Sequence, residues 1–176
     1  MDRGHCAKNF EPIRKEDFTD AGPLRHFCAS AFIYDIAEEK FLLIRHRKCG
    51  YWIPPGGHVE ADERPDVTAV REAQEETGIA VRLVGAPAPL FPGETAIVQP
   101  FGLRIYEDGP GHEHMSFLYA AVPTGGSLAM SEREVEDVGW FSLDKIFSES
   151  FGAAPAVGGW CRFLSKKIPS LLPVEN

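Results

Sequence analysis

The sequence predicts an α/β sandwich, of the α+β kind, built on a mixed β-sheet. Three observations carry this. Stretches rich in β-formers lie on both sides of one acidic helical segment, and an amphipathic helical pattern closes the chain. A length of 176 residues with 44% hydrophobic content suits one domain with a full core.

The elements follow in order. Residues 1–23 read as an appendage ending at Gly22-Pro23, with the domain proper over residues 24–176. Residues 25–36, RHFCASAFIYDI, are rich in β-formers and small apolar residues. Glu38-Glu39 makes a turn, and residues 41–47 form a second strand, giving a hairpin. Pro54-Pro55-Gly56-Gly57 is a rigid, then permissive loop whose glycines let backbone approach a ligand or metal. Pro65 suits a first helical position, where its missing N–H costs nothing. Asp62, Glu63 and Asp66 place acids at the positive end of that helix dipole. Val67, Val70, Ala73 and Thr77 recur at helical spacing as its core face, and Gly78 ends it in a left-handed conformation.

Residues 79–84 form the strand that leaves this helix, and Pro87, Pro89 and Pro92 break the chain after it. Strands are expected over residues 96–106 and 115–122, around a turn at residues 107–114. Residues 131–137, SEREVED, read as an acidic loop. A short strand over residues 139–142 and a short helix over residues 143–150 follow. The closing helix, residues 157–172, has Trp160, Phe163, Leu164 and Ile168 on one side.

A net charge of −8 argues against a nonspecific nucleic-acid binder, which needs a basic surface. Attraction of an anionic substrate falls to local arginines and metal ions. No apolar run reaches about 18 residues, so no membrane span is expected. The opening residues are too polar for a secretory signal. Cys6, Cys28, Cys49 and Cys161 are scattered and form no CxxC pair. Neither a zinc site nor a disulfide framework is expected; the reading is of reduced cysteines in a cytoplasmic protein.

Glu72, Glu75 and Glu76 stand at i, i+3 and i+4 of the acidic helix. That spacing puts three carboxylates on one face, with Cβ atoms roughly 5–6 Å apart. Like charges so close are unfavourable unless a cation sits among them. A hard divalent ion with oxygen ligands, Mg²⁺ first, is the candidate. A generic run of glutamates would instead be a solvated surface.

The surrounding pattern is richer than a generic run. Residues 57–79, GHVEADERPDVTAVREAQEETGI, resemble the Nudix box. Gly57, Glu63, Arg71, Glu72, Ala73, Glu75, Glu76, Gly78 and Ile79 fill every defined position, with Ala73 a small choice at its apolar site. WFSLDKI from Trp140 resembles the closing strand and helix of such domains, and the likeness extends loosely over residues 25–147.

The resemblance implies an α/β/α sandwich and a Mg²⁺- or Mn²⁺-dependent enzyme. Metal-activated water would hydrolyse the pyrophosphate bond of a nucleoside diphosphate-X substrate, leaning to nucleoside triphosphates or modified nucleotides. It implies Glu72, Glu75 and Glu76 as metal ligands, with the backbone carbonyl of Gly57 as another. Glu63 and Arg71 would be supports, Arg71 holding Glu63 or Glu75 as a bidentate ion pair. The general base is left between a box glutamate, Glu75 or Glu76, and Glu134, with Glu132 and Glu136 competing. The partner is a nucleotide-type small molecule, with no nucleic acid or membrane, and relatives suggest a homodimer through terminal segments.

Substrate contacts are read from the residues before the box. Arg45, His46, Arg47 and Lys48 could meet phosphates, and strand alternation would turn only half of them inward, favouring Arg45 or Arg47. Trp52 is a candidate to stack a base, although aromatic residues here also suit a core. His112 and His114 are expected as an exposed loop pair. A noncatalytic nucleotide sensor, binding ADP-ribose for example, is the rival reading. It would be expected to have lost a metal-binding glutamate, and all are present. An isomerase of the isopentenyl diphosphate type would want a cysteine motif that Cys28 and Cys49 lack.

Overall fold

The computed structural model describes residues 22–86, 90–131 and 133–172. Residues 1–21 of the expected N-terminal appendage, Pro87, Pro89 and Glu132 lie outside the described residues. In chain order the elements are β1 (Leu24–Asp35), β2 (Lys40–His46), β3 (Trp52–Ile53), β4 (Gly56–His58) and α1 (Pro65–Thr77). Then come β5 (Ile79–Val84), β6 (Gly102–Glu107), β7 (His112–Gly126) and β8 (Val135–Ser142). The helices α2 (Leu143–Ile146) and α3 (Val157–Lys167) follow, and a 3-10 turn, Ile168–Leu171, ends the described chain.

The strands join one mixed sheet. Its path is β3-β2-β1-β7-β5, with β4 paired to β1, β6 to β7 and β8 to β2. The pairing of β1 with β7 is parallel and runs from Leu24 opposite His112 to Ile33 opposite Ala121. The other pairings are antiparallel. Alternation along the strands splits the core into two layers. Phe32, Tyr34, Leu43 and Leu118 pack with Val157, Cys161 and Leu164 of α3. Ala29, Ala31, Ile33 and Tyr119 pack with Ala69 and Ala73 of α1. The result is helix, sheet, helix, as expected for an α/β sandwich with a mixed sheet.

The α1 interface is built from small side chains on both sides, so the helix lies close against β1. That explains why Ala73 serves well at an apolar position. It also shifts the inner face of the helix. Ala69, Ala73 and Thr77 are buried, while Val67 is 44% exposed. Val67 is two residues, or about 200° around the helix, from Ala69, so both cannot face the sheet.

The expected inner face of the C-terminal helix shifts in the same way. Val157, Cys161, Leu164 and Ile168 are buried at helical spacing, and Phe163 is half exposed. The expected strand over residues 96–106 starts only at Gly102, and the turn after it shrinks to residues 108–111. His112 and His114 therefore belong to β7 and are not a loop pair. No helix among the described residues is long and apolar enough to cross a membrane.

Gly78 closes α1 with φ 72°, its N–H bonding the carbonyl of Gln74 at 2.9 Å. A Cβ there would press on the Ser127 carbonyl oxygen and, at 2.8 Å, on the Ala129 side chain. Gly78→Ala should therefore lower stability by about 1–3 kcal/mol. Urea unfolding would register this as a lower midpoint at constant slope; an unchanged midpoint would mean that the turn relaxes freely.

Candidate functional site

The site forms where the C-terminal half of α1 meets β4. Gly57 sits against Glu72 so closely that a Cβ on it would overlap the carboxylate. A side chain there would push the Glu72 carboxylate off its position against the strand. One turn on, Glu76 is 4% exposed and accepts a hydrogen bond from the Gly56 N–H at 2.8 Å. Burial, and then the charges of Glu72, Glu134 and Glu75, push its carboxyl up to about 8, against the pull of the Gly56 bond. Burial also raises Glu72, outweighing Arg71 beside it. Glu75 is exposed and reaches Arg71 at 3.2 Å.

Arg71 organises this cluster. Its Nε and Nη2 donate to the two oxygens of Glu63, both at 2.9 Å, a fork-to-fork pair. Its Nη1 donates to Glu72 at 2.9 Å, and Nη2 also reaches the His58 carbonyl at 3.3 Å. Thr68 Oγ1 donates to Glu63 at 2.7 Å, fixing the far side of the pair. Glu63 tethers the loop before α1 to the helix, and Arg71 aims the carboxylates.

Glu134 lies in the turn before β8, exposed, with its carbonyl accepting the Arg47 N–H at 3.0 Å. Its carboxylate is near enough to raise both Glu72 and Glu76. Glu136 is elsewhere, paired with Arg45 at 3.3 Å on the β2–β8 surface. Four carboxylates thus converge at one end of α1, and the salt bridges described there, all from Arg71, reach Glu72 and Glu75 but not Glu76. A buried carboxylate among like charges calls for a counter-ion, and an all-oxygen donor set suits a hard divalent cation. The residues present fit one.

Trp52 is corrected by the structure. It is 8% exposed, stacked on Phe151 at 5.2 Å and edge-on to Phe141 at 4.7 Å, so its ring is part of the core and not offered for stacking. Arg45 faces the surface in its pair with Glu136, and Lys48, not singled out among its neighbours, reaches Asp108 at 2.6 Å.

Sequence reasoning missed a polar row on the sheet face opposite α1. Register aligns His58, Cys28, Ser116 and Arg104 across β4, β1, β7 and β6. The Arg104 Nε and the Ser116 hydroxyl are buried without hydrogen-bond partners. The Arg104 guanidinium lies over the Tyr106 ring at 4.7 Å, and burial pulls its pKa down. Beside this row stand His26, His112 and His114. Burial first, then neighbouring imidazoles, lowers the pKa of His58; burial likewise lowers His114 against the pull of Asp108. The available signal was the two-residue spacing of polar side chains, His26 with Cys28 and His112 with His114 and Ser116.

A model of the NUDIX domain matches residues 24–157, from β1 to the start of α3. The chain belongs to the Nudix family. A Nudix-family hydrolase structure from Clostridium perfringens superposes with a TM-score of 0.70 at 26% identity, covering 82% of this chain and 98% of that one. A probable DHNTP pyrophosphohydrolase from Lactococcus lactis is 31% identical over 122 residues, covering 69% of this chain and 66% of that protein. An octanoyltransferase from Myxococcus xanthus is 33% identical over 131 residues, 67% of this chain and 37% of that protein. The Nudix chain thus spans 37% and 66% of the lengths of these two curated relatives.

The Glu63–Arg71 pair gives this Nudix domain an acid-sensitive joint. Arg71, then Thr68 and the Glu60 N–H, hold the Glu63 carboxyl down to about 2 from an ordinary 4.5. Its folded pKa lies below its unfolded one, so the stabilisation is complete above the ordinary value and is lost as pH falls toward the folded one. Melting temperatures measured between about pH 6 and pH 3 should fall less steeply in Glu63→Gln than in the parent. Parallel curves would remove Glu63 from the joint.

Proposed function

We propose that this Nudix chain hydrolyses a pyrophosphate bond in a nucleoside diphosphate-X substrate, nucleoside triphosphates or modified nucleotides foremost. The observation that carries the reading is the complete carboxylate set around Gly57, with Glu76 buried, bonded to Gly56 and lacking a described cationic partner. Glu72, Glu75, Glu76 and the Gly57 carbonyl would hold Mg²⁺ or Mn²⁺. A bound divalent ion supplies Lewis acidity that offsets phosphate charge and makes water a stronger nucleophile.

The chain's own residues do the rest. Arg71 holds Glu72 and Glu75 in place, and Glu63 holds Arg71. Glu134 is exposed yet electrostatically in reach of Glu72 and Glu76, which favours it as the acceptor of the proton released by the attacking water. Arg104, half-buried with its Nε unpaired beside an orphan hydroxyl, suits an anionic substrate group, since a phosphate oxygen would satisfy that Nε. The L. lactis relative, described as a probable pyrophosphohydrolase, has the same reaction class.

The test is chromatographic separation of the nucleotide product and its phosphorylated partner from nucleoside triphosphates, oxidised nucleotides, nucleotide sugars, ADP-ribose and dinucleoside polyphosphates, with Mg²⁺, Mn²⁺ or chelator. Turnover should require metal and fall by at least about 100-fold in Glu76→Gln. In chelator near neutral pH the same variant should melt higher than the parent, because the folded parent must hold the Glu76 carboxyl protonated well above its ordinary range. Full turnover in chelator would sink the assignment, and silence with tight nucleotide binding would favour the sensor. Arg104→Lys should raise KM about tenfold with kcat nearly kept; an unchanged KM would place substrate elsewhere.

A further inference from the structure

We propose that His26, His58, His112 and His114 form a second metal site, selective for a borderline transition-metal ion such as Zn²⁺ and separate from the carboxylate site. One ring nitrogen from each of the four lies within 4.8 Å of all the others. The Nε2 atoms of His58 and His114 are 3.2 Å apart, and His112 Nε2 is 3.4 Å from His26 Nδ1. A tetrahedral zinc site with bonds of about 2.0–2.1 Å spaces its nitrogens about 3.3 Å apart. Two opposite edges of the ligand tetrahedron therefore already have the length that zinc requires. Small ring rotations close the remaining edges.

The groups behind the rings support the same assignment. His114 turns its Nδ1 to the Tyr106 hydroxyl at 3.1 Å, leaving Nε2 to point into the cluster. The Asp108 carboxylate stands 3.9 Å from His112 Nδ1 and 3.8 Å from His114 Nε2, and Lys48 anchors it at 2.6 Å. Asp108 is thus behind the His112 ring, where a carboxylate fixes a ligating imidazole, and beside the ligating Nε2 of His114, where it adds negative charge near the ion. Hydrogen bonding alone accounts for two separate pairs of rings. It gives no reason for all four to present a nitrogen to one point.

The ligands come from three separate strands: His26 from β1, His58 from β4, and His112 and His114 from β7. Gly57 faces Glu72 of α1, while His58, the next residue, sits opposite Cys28 in register. Successive residues of a strand point to opposite faces. The strand β4 thus separates an all-oxygen set from an all-nitrogen set. The first suits Mg²⁺ or Mn²⁺; imidazole suits Zn²⁺, Ni²⁺ or Cu²⁺. The site does not depend on hydrolytic activity.

Full-length protein, stripped with chelator and held in excess Mg²⁺, would be titrated calorimetrically with Zn²⁺. Co²⁺ would serve as a visible-absorption reporter of tetrahedral geometry. The expected result is one Zn²⁺ per chain, strong Co²⁺ bands and a higher melting temperature with zinc. His26→Gln and His112→Gln, made singly and together, should each weaken zinc at least tenfold while circular dichroism stays native. Glu72→Gln/Glu76→Gln should keep zinc and lose Mn²⁺. The proposal falls if the parent binds no zinc at micromolar concentration, or if both single histidine variants bind it like the parent. It also falls if the glutamate variant loses zinc, which would put the ion at the carboxylates.

Discussion

Arg71 has five N–H donors in a fixed plane, and all five find an oxygen: two on Glu63, one each on Glu72 and Glu75, and the His58 carbonyl. The loop before α1, the helix and β4 are thus referred to a single planar group. A lysine offers three donors without the fork and could not hold these positions at once. The arrangement lets acidic side chains crowd together without splaying apart, because one cation sets their spacing. Glu76 is beyond its reach, and burial against Gly56 leaves that carboxylate the least compensated group in the cluster.

The Arg71 plane has room to work because the helix lies close to the sheet. Alanines at 29, 31, 69 and 73 form the contact, and Gly57 carries no side chain where Glu72 descends. A larger residue at any of these alanines would lift α1 and stretch the hydrogen bond from Gly56 to Glu76, and one at Gly57 would displace the Glu72 carboxylate. The small-residue interface and the acidic cluster are therefore one design constraint.

Much of this was legible in the sequence because it is local. The box residues, the proline at the helix start and the glycine at its end lie within one short stretch, where spacing translates directly into geometry. The inner faces of α1 and α3 were displaced, since the sheet selects alanines and a cysteine over the bulkier Val67 and Phe163. Trp52 was drawn toward substrate by its chemistry and is held in the core by Phe141 and Phe151, which are distant in sequence. The four histidines escaped because no spacing joins residues 26, 58, 112 and 114; only the pairing of β1 with β4 and β7 does.

That parallel pairing has a kinetic consequence. Arg25 and Glu113, ion-paired across it, stand 88 positions apart. Contacts of such span form late, because a long loop must close before they are rewarded. The box helix can begin to form from nearby residues alone, but β1 has no parallel neighbour until most of the chain has left the ribosome. A nascent chain that has completed α1 holds β1 to β4 beside the glutamates, but not yet β7, which joins them to β5 and β6. The order of synthesis therefore lays the acidic motif on half a sheet and leaves the other half to arrive behind it.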